Sequence, residues 1–223
     1  AQTAESASAS LLAMLMLILL SVLIPARAEE SVSPMIVSET ANSTEYPALE
    51  ADIPVITSEG KSNVKIAGVK SKNKLVRYTI PETLLRADEN FLALMVEAEK
   101  YIGYPYVYGG SKPSTGFDCS GFVCWVFRQS GVYDTGRLGA KGLYSLCTDV
   151  SRDEARPGDL VFFTKTMGAD VKGITHVGIY VGNDMMLHAG DPVGFADLQS
   201  DKWAKKIYAF GRLPVQQGAQ ADE

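Results

Sequence analysis

The sequence predicts an α+β domain in which helices pack on an antiparallel sheet. Three observations carry that expectation. Helical signals come first, with Phe91, Leu92, Met95, Val96 and Ile102 at helical spacing and a second helix from about Cys119 to Gly131. Short strand-like runs then follow one another: DLVFFT, HVGIYVG, DMMLHAG and IYAFGRL. Two of these runs are joined at Gly182-Asn183, a dipeptide suited to a tight hairpin. Helices followed by consecutive strands make an α+β domain with antiparallel pairing.

In chain order, Leu11 to Ile24 form an apolar run interrupted only by Ser21. Fourteen residues match the core of a signal peptide, short of the roughly 20 that span a bilayer. Ala26-Arg27-Ala28 then supplies an A-x-A cleavage pattern, although no Lys or Arg precedes the run. An export signal, a short membrane anchor and a buried helix are the three readings of residues 1–28. The first two place the rest of the chain outside the cytoplasm.

Residues 29–86 read as a largely disordered linker, rich in Ser, Thr, Glu and Pro. Its charge is segregated. Lys61, Lys65, Lys70, Lys72, Lys74 and Arg77 form a run without an acid, after an acidic stretch without a cation. Such a run is either a solvated loop or a contact for an anionic wall polymer or lipid surface. The folded domain is expected over 87–214, with a tail at 215–223. Asp88 is placed to cap the first helix and Gly103 to stop it.

A net charge of −5 excludes the basic signature of a nucleic-acid binder. Three cysteines are an odd number, so at least one thiol is free. None of them stands in a metal-ligand spacing with His or Cys, and no cofactor is expected.

Cys119 opens the second helix, where unpaired amides and the helix dipole favour thiolate; a lowered pKa is expected. Cys124 lies about 140° around that helix and reads as a core thiol. A reactive thiolate needs a base, and the base needs an orienting partner. The chain has two histidines, His176 and His188, one on each strand of the hairpin. His176 is the expected base, with His188 holding its tautomer.

Between Asp88 and Pro214 the chain resembles the NlpC/P60 family of cell-wall cysteine peptidases. The resemblance rests on PYVYGG, Asp118-Cys119-Ser120-Gly121-Phe122, PGDLVFF, HVGIYVG and MLHA in that order. It implies a papain-like domain that cleaves peptidoglycan stem peptides between D-γ-glutamate and a diamino acid. Cys119, His176 and His188 then form the catalytic set. The resemblance also implies that Tyr106 lines the oxyanion site and that Asp118 and Ser120 hold the substrate's amino end. Asp118 reads equally as the cap of the helix that starts at Cys119. The rival functions are a wall amidase and a non-catalytic wall-binding or scaffold domain of the same fold.

Overall fold

The computed structural model describes residues 53–215. The apolar run, the A-x-A pattern, the linker up to residue 52 and the tail from 216 lie outside the described residues. Among the described residues, no helix is long and apolar enough to cross a membrane.

Order begins before Asp88, which corrects the expected linker. β1 (Thr57–Lys61) pairs antiparallel with β4 (Lys74–Thr79), and β2 (Lys65–Ile66) pairs with β3 (Val69–Lys70). A short helix, α1 (Glu82–Arg86), follows. The segment escapes a periodicity reading because each element buries little; in β1 only Ser58 is buried. Ile56, Ile80 and Leu85 nevertheless enter the main core. The six cations from Lys61 to Arg77 are all exposed on this segment.

The first long helix, α2 (Glu89–Glu99), starts as the sequence indicates: the Asp88 carboxylate accepts from the Phe91 amide at 2.9 Å. It ends four residues before Gly103. β5 (Ser111–Lys112) and β6 (Gly116–Phe117) form a small hairpin leading into α3 (Cys119–Gln129). α4 (Ala140–Leu146) is the last α-helix among the described residues.

The remaining strands are β7 (Thr148–Val150), β8 (Leu160–Thr164), β9 (Ile174–Gly182), β10 (Met185–Ala189), β11 (Val193–Asp197) and β12 (Ile207–Arg212). They form one antiparallel sheet in the order β11-β10-β9-β8-β12-β7. Alternation along each strand gives the sheet two buried faces. Leu160, Phe162, Val177, Ile179 and Leu187 join the helices in the larger core. Val161, Phe163, Met186 and Phe210 form a second cluster with Trp203.

The β11 edge is covered. Gly103 donates to the Val193 carbonyl at 2.9 Å, Val193 donates to Tyr104 at 2.7 Å, and Tyr78 of β4 meets Phe195 edge-on at 5.0 Å. An edge strand without such partners is a template for aggregation.

Because Ile56 and Leu85 are 0% and 1% exposed, the N-terminal elements belong to the same core. Ile56→Ala or Leu85→Ala is expected to cost about 2–5 kcal/mol in denaturant unfolding. A loss below about 0.5 kcal/mol, the range of surface substitutions, would show that this segment does not share the core.

Candidate active site

The site begins at the entry to α3. Asp118 adopts an extended backbone, and its Oδ1 accepts from the Gly121 amide at 2.6 Å and from the Ser120 hydroxyl at 3.0 Å. Gly121 is required here: a Cβ would lie 2.2 Å from the Gly110 carbonyl oxygen. The Arg137 guanidinium then joins both flanking residues, donating to Asp118 Oδ2 at 2.8 Å and to Ser120 Oγ at 3.0 Å. Asp118 is therefore a helix cap held in an ion pair, and its neighbour Cys119 is only 8% exposed.

The second part comes from β9 and β10. Their turn is Asn183-Asp184, both at positive φ (52° and 54°), one residue later than the sequence reading placed it. Asn and Asp tolerate that conformation better than most residues. Met185 faces Gly182, but Met186 then faces Tyr180 and Leu187 faces Ile179, so β9 carries one extra residue near Val181. This bulge decides the site. At the turn's own register His188 would stand across from Ile179, three residues from His176 and therefore on the opposite face. After the one-residue shift it stands across from Gly178, two residues from His176 and on the same face. His176 Nε2 and His188 Nδ1 come to 2.8 Å.

Gly178 makes room for this approach, since a Cβ there would sit 2.8 Å from Met186 Sδ and 3.1 Å from His188 Cβ. Trp203 covers the pair, nearly parallel to His176 at 5.2 Å and edge-on to His188 at 5.0 Å. Phe163 packs against His176 from β8 at 5.8 Å.

The backbone amides of Val177, next to His176, and of Ser120 and Cys119 favour the thiolate of Cys119. Burial outweighs them, with the Asp118 charge adding to it, and the thiol is raised above its ordinary value. The expected lowering is thus reversed: a helix N-terminus lowers a thiol's pKa where water can reach it, and desolvation wins where it cannot. Burial, reinforced by the Lys202 charge, pushes His176 down to about 3. His188 lies well below its ordinary value, through burial, then through His176 and Lys202. At neutral pH both imidazoles are uncharged, and one must donate to the other.

Tyr106 approaches the same centre. It bridges to Phe117 beside the start of α3, and its phenol is raised to about 12 by burial and by the Cys119 and Asp118 charges. It therefore remains a hydrogen-bond donor. Cys124 lies in the core with its sulfur 3.5 Å from the Leu138 carbonyl oxygen, and Cys147 is raised to about 12, chiefly by burial. All three cysteines are free.

The six residues singled out from the sequence thus gather at the α3 entry and on the adjoining hairpin. Arg137, Trp203 and Lys202 were missed, and no local pattern marks them. Among the described residues no His, Cys, Asp and Glu cluster suits a metal ion. A cavity of about 540 Å³ bounded by Phe91, Phe127, Asp159 and Arg212 includes none of the predicted site residues. A second, of about 330 Å³, includes His188.

The NlpC/P60 family model matches residues 103–212. Over 121 residues, 54% of this chain, the sequence is 46% identical to a bifunctional muramidase/DL-endopeptidase of Bacillus subtilis. Over the same length it is 44% identical to a probable endopeptidase p60 of Listeria seeligeri. The matches span only 36% and 22% of those two proteins. A crystal structure from Staphylococcus aureus, described as similar to a lipoprotein of the NLP/P60 family, superposes with a TM-score of 0.53 at 41% identity. That superposition covers 56% of this chain and 42% of the other.

The buried histidines set a pH dependence of stability. Unfolded, each titrates near 6.5; folded, each titrates lower. Between those values the unfolded state binds more protons, so stability is fully present above about pH 6.5 and is lost as pH falls towards 3. Melting temperatures measured across that window should fall more steeply for the native chain than for a His176→Gln, His188→Gln double variant. Parallel curves would mean that the pair is not buried in its neutral form.

Proposed function

This chain belongs to the NlpC/P60 family through residues 103–212, and on that premise we propose that it is a cysteine endopeptidase of peptidoglycan stem peptides, cutting between D-γ-glutamate and the diamino acid. Cys119 is the nucleophile, His176 the general base and His188 the residue that orients it. The observation that carries this reading is the 2.8 Å contact between His176 Nε2 and His188 Nδ1. It occupies Nε2, so Nδ1 is the nitrogen left to take the thiol proton. His176 must then carry its own proton on Nε2 and donate it to His188 Nδ1, which fixes the tautomer that can act as a base.

The chemistry follows from the burial. A lone thiolate or a lone imidazolium is costly here, but the two together are a neutral pair. The proton therefore moves from Cys119 to His176 as the sulfur attacks the scissile carbonyl. Backbone amides at the start of α3 and the Tyr106 phenol face the oxyanion that forms. His176 then passes its proton to the departing amine, leaving an acyl-thioester. Water, deprotonated by His176, hydrolyses that ester and regenerates the thiol.

Asp118 and Ser120 flank the amino end of the substrate. An ionised carboxylate has about four acceptor positions. Gly121, Ser120 and Arg137 engage Asp118, which leaves room for one substrate ammonium. Action on the wall requires export, which the apolar run of residues 11–24 supplies as signal or anchor. The exposed cations of residues 61–77 would hold the domain to an anionic wall polymer or membrane surface.

Purified stem peptides digested with the native chain, with products weighed by mass spectrometry, should yield the L-Ala–D-Glu dipeptide. Cys119→Ala should abolish cleavage with an unchanged melting temperature. His176→Ala should lose about 10²–10⁴-fold in kcat, and His188→Asn less than His176→Ala. A larger loss at His188, or wild-type turnover by Cys119→Ala, would overturn these roles.

A further inference from the structure

Proton transfer leaves a charge on His176 that the ion pairs of the site do not balance. When Cys119 gives its proton to His176 Nδ1, the sulfur holds the matching negative charge. As the sulfur–carbon bond forms, that charge moves to the carbonyl oxygen, and the imidazolium stands beside a neutral thioether-like sulfur. Among the described residues neither imidazole is hydrogen-bonded or salt-bridged to a carboxylate; His176 has only His188, itself neutral. Asp118 is paired with Arg137, and Asp191 and Asp197 line the cavity that includes His188 and not His176. The charge that acts on His176 is the Lys202 ammonium, which has the wrong sign.

What His176 does face is an aromatic ring. Trp203 is 6% exposed and stacks on His176 with centroids 5.2 Å apart and planes 27° apart. The face of an indole is its negative side, and it attracts a cation within about 6 Å of the ring centroid. The ring is fixed in place. Phe163 packs against it at 4.8 Å, and the Trp203 amide donates to the Ser200 carbonyl at 3.0 Å. The Trp203 carbonyl accepts from the Lys206 amide at 2.8 Å, across the one-turn helix Ala204–Lys206. The Lys202 ammonium lies 5.0 Å from the same ring, but in water. Such a contact is weak for a solvated cation and strong for a desolvated one, and His176 is 8% exposed.

Resting on the proposed reaction, we propose that Trp203 is a positioning residue that acts through His176, its π face stabilising the imidazolium that forms when the thiol gives up its proton. While His176 is neutral the contact is simple packing; it becomes a cation–π attraction only once the proton arrives. An interaction gained only on the way to the transition state raises kcat and leaves KM alone.

The test grades the π face without changing the shape of the side chain. Nonsense suppression places 5-fluoro-, 5,7-difluoro- and 5,6,7-trifluorotryptophan at position 203, leaving Trp125 unaltered. Each fluorine draws charge from the ring face. Acylation and deacylation both create the imidazolium, so kcat reports it whichever step is slower. With stem peptide as substrate, kcat should fall stepwise, by about tenfold in total, at constant KM and melting temperature. In a chain that cleaves the peptide, a kcat constant within about twofold across the series, or a loss confined to KM, would overturn the role, because a ring that merely covers the pair is indifferent to its own charge distribution. The rate at which iodoacetamide alkylates Cys119 at pH 7, located by mass spectrometry, needs no turnover and reads the thiolate–imidazolium pair directly. If the native chain cleaves no stem peptide, the reaction assignment falls and alkylation decides: rates that fall in the same order still support the role of Trp203, and equal rates refute it.

Discussion

The His176–His188 contact depends on one extra residue in β9, and most of the site depends on that contact. Strand alternation is strict, so a one-residue shift moves every side chain beyond it to the other face. Without the bulge near Val181, His188 would turn into the helix-packed core and His176 would have no partner. With it, the imidazoles meet at 2.8 Å under Trp203. Gly178 is the second half of the same device, since no other residue lets β10 pass so close. Backbone register, rather than loop flexibility, positions the base.

Burial then sets the chemistry. Cys119 stands where helix amides favour thiolate, yet desolvation and the Asp118 charge raise its pKa, while the histidines are pushed down. The thiol and both imidazoles rest uncharged, and charge develops on them only when thiol and imidazole exchange a proton. Arg137 limits the repulsion by pairing with Asp118, so the carboxylate that caps α3 does not stand unpaired beside the nucleophile. A reactive centre of this kind stays protected from random oxidants, which attack the thiolate.

Much of the architecture was legible in the sequence. Asp88 as cap, the helix from Cys119 and the strands at Leu160, His176 and Ile207 follow from local chemistry and periodicity. A chain with only two histidines also leaves few ways to build a Cys–His pair. What was not legible is tertiary. The hairpins before Asp88 were hidden because each buries a residue or so in a polar stretch. The β9–β10 turn was misplaced by one residue, since Gly182-Asn183 and Asn183-Asp184 both read as turns. Arg137 reaches partners 17 and 19 positions back, and Trp203 comes from beyond β11. The direction of the Cys119 shift required knowing how deeply the helix start is covered, which no neighbour in sequence reveals.

The most direct measurement is the protonation state of the two imidazoles in the native chain at pH 7, read from nitrogen-15 shifts and long-range proton correlations. The account predicts two neutral rings, with His176 protonated at Nε2 and bare at Nδ1, and the Nε2 proton shared towards His188 Nδ1. An imidazolium at His176, or a proton resting on its Nδ1, would contradict it.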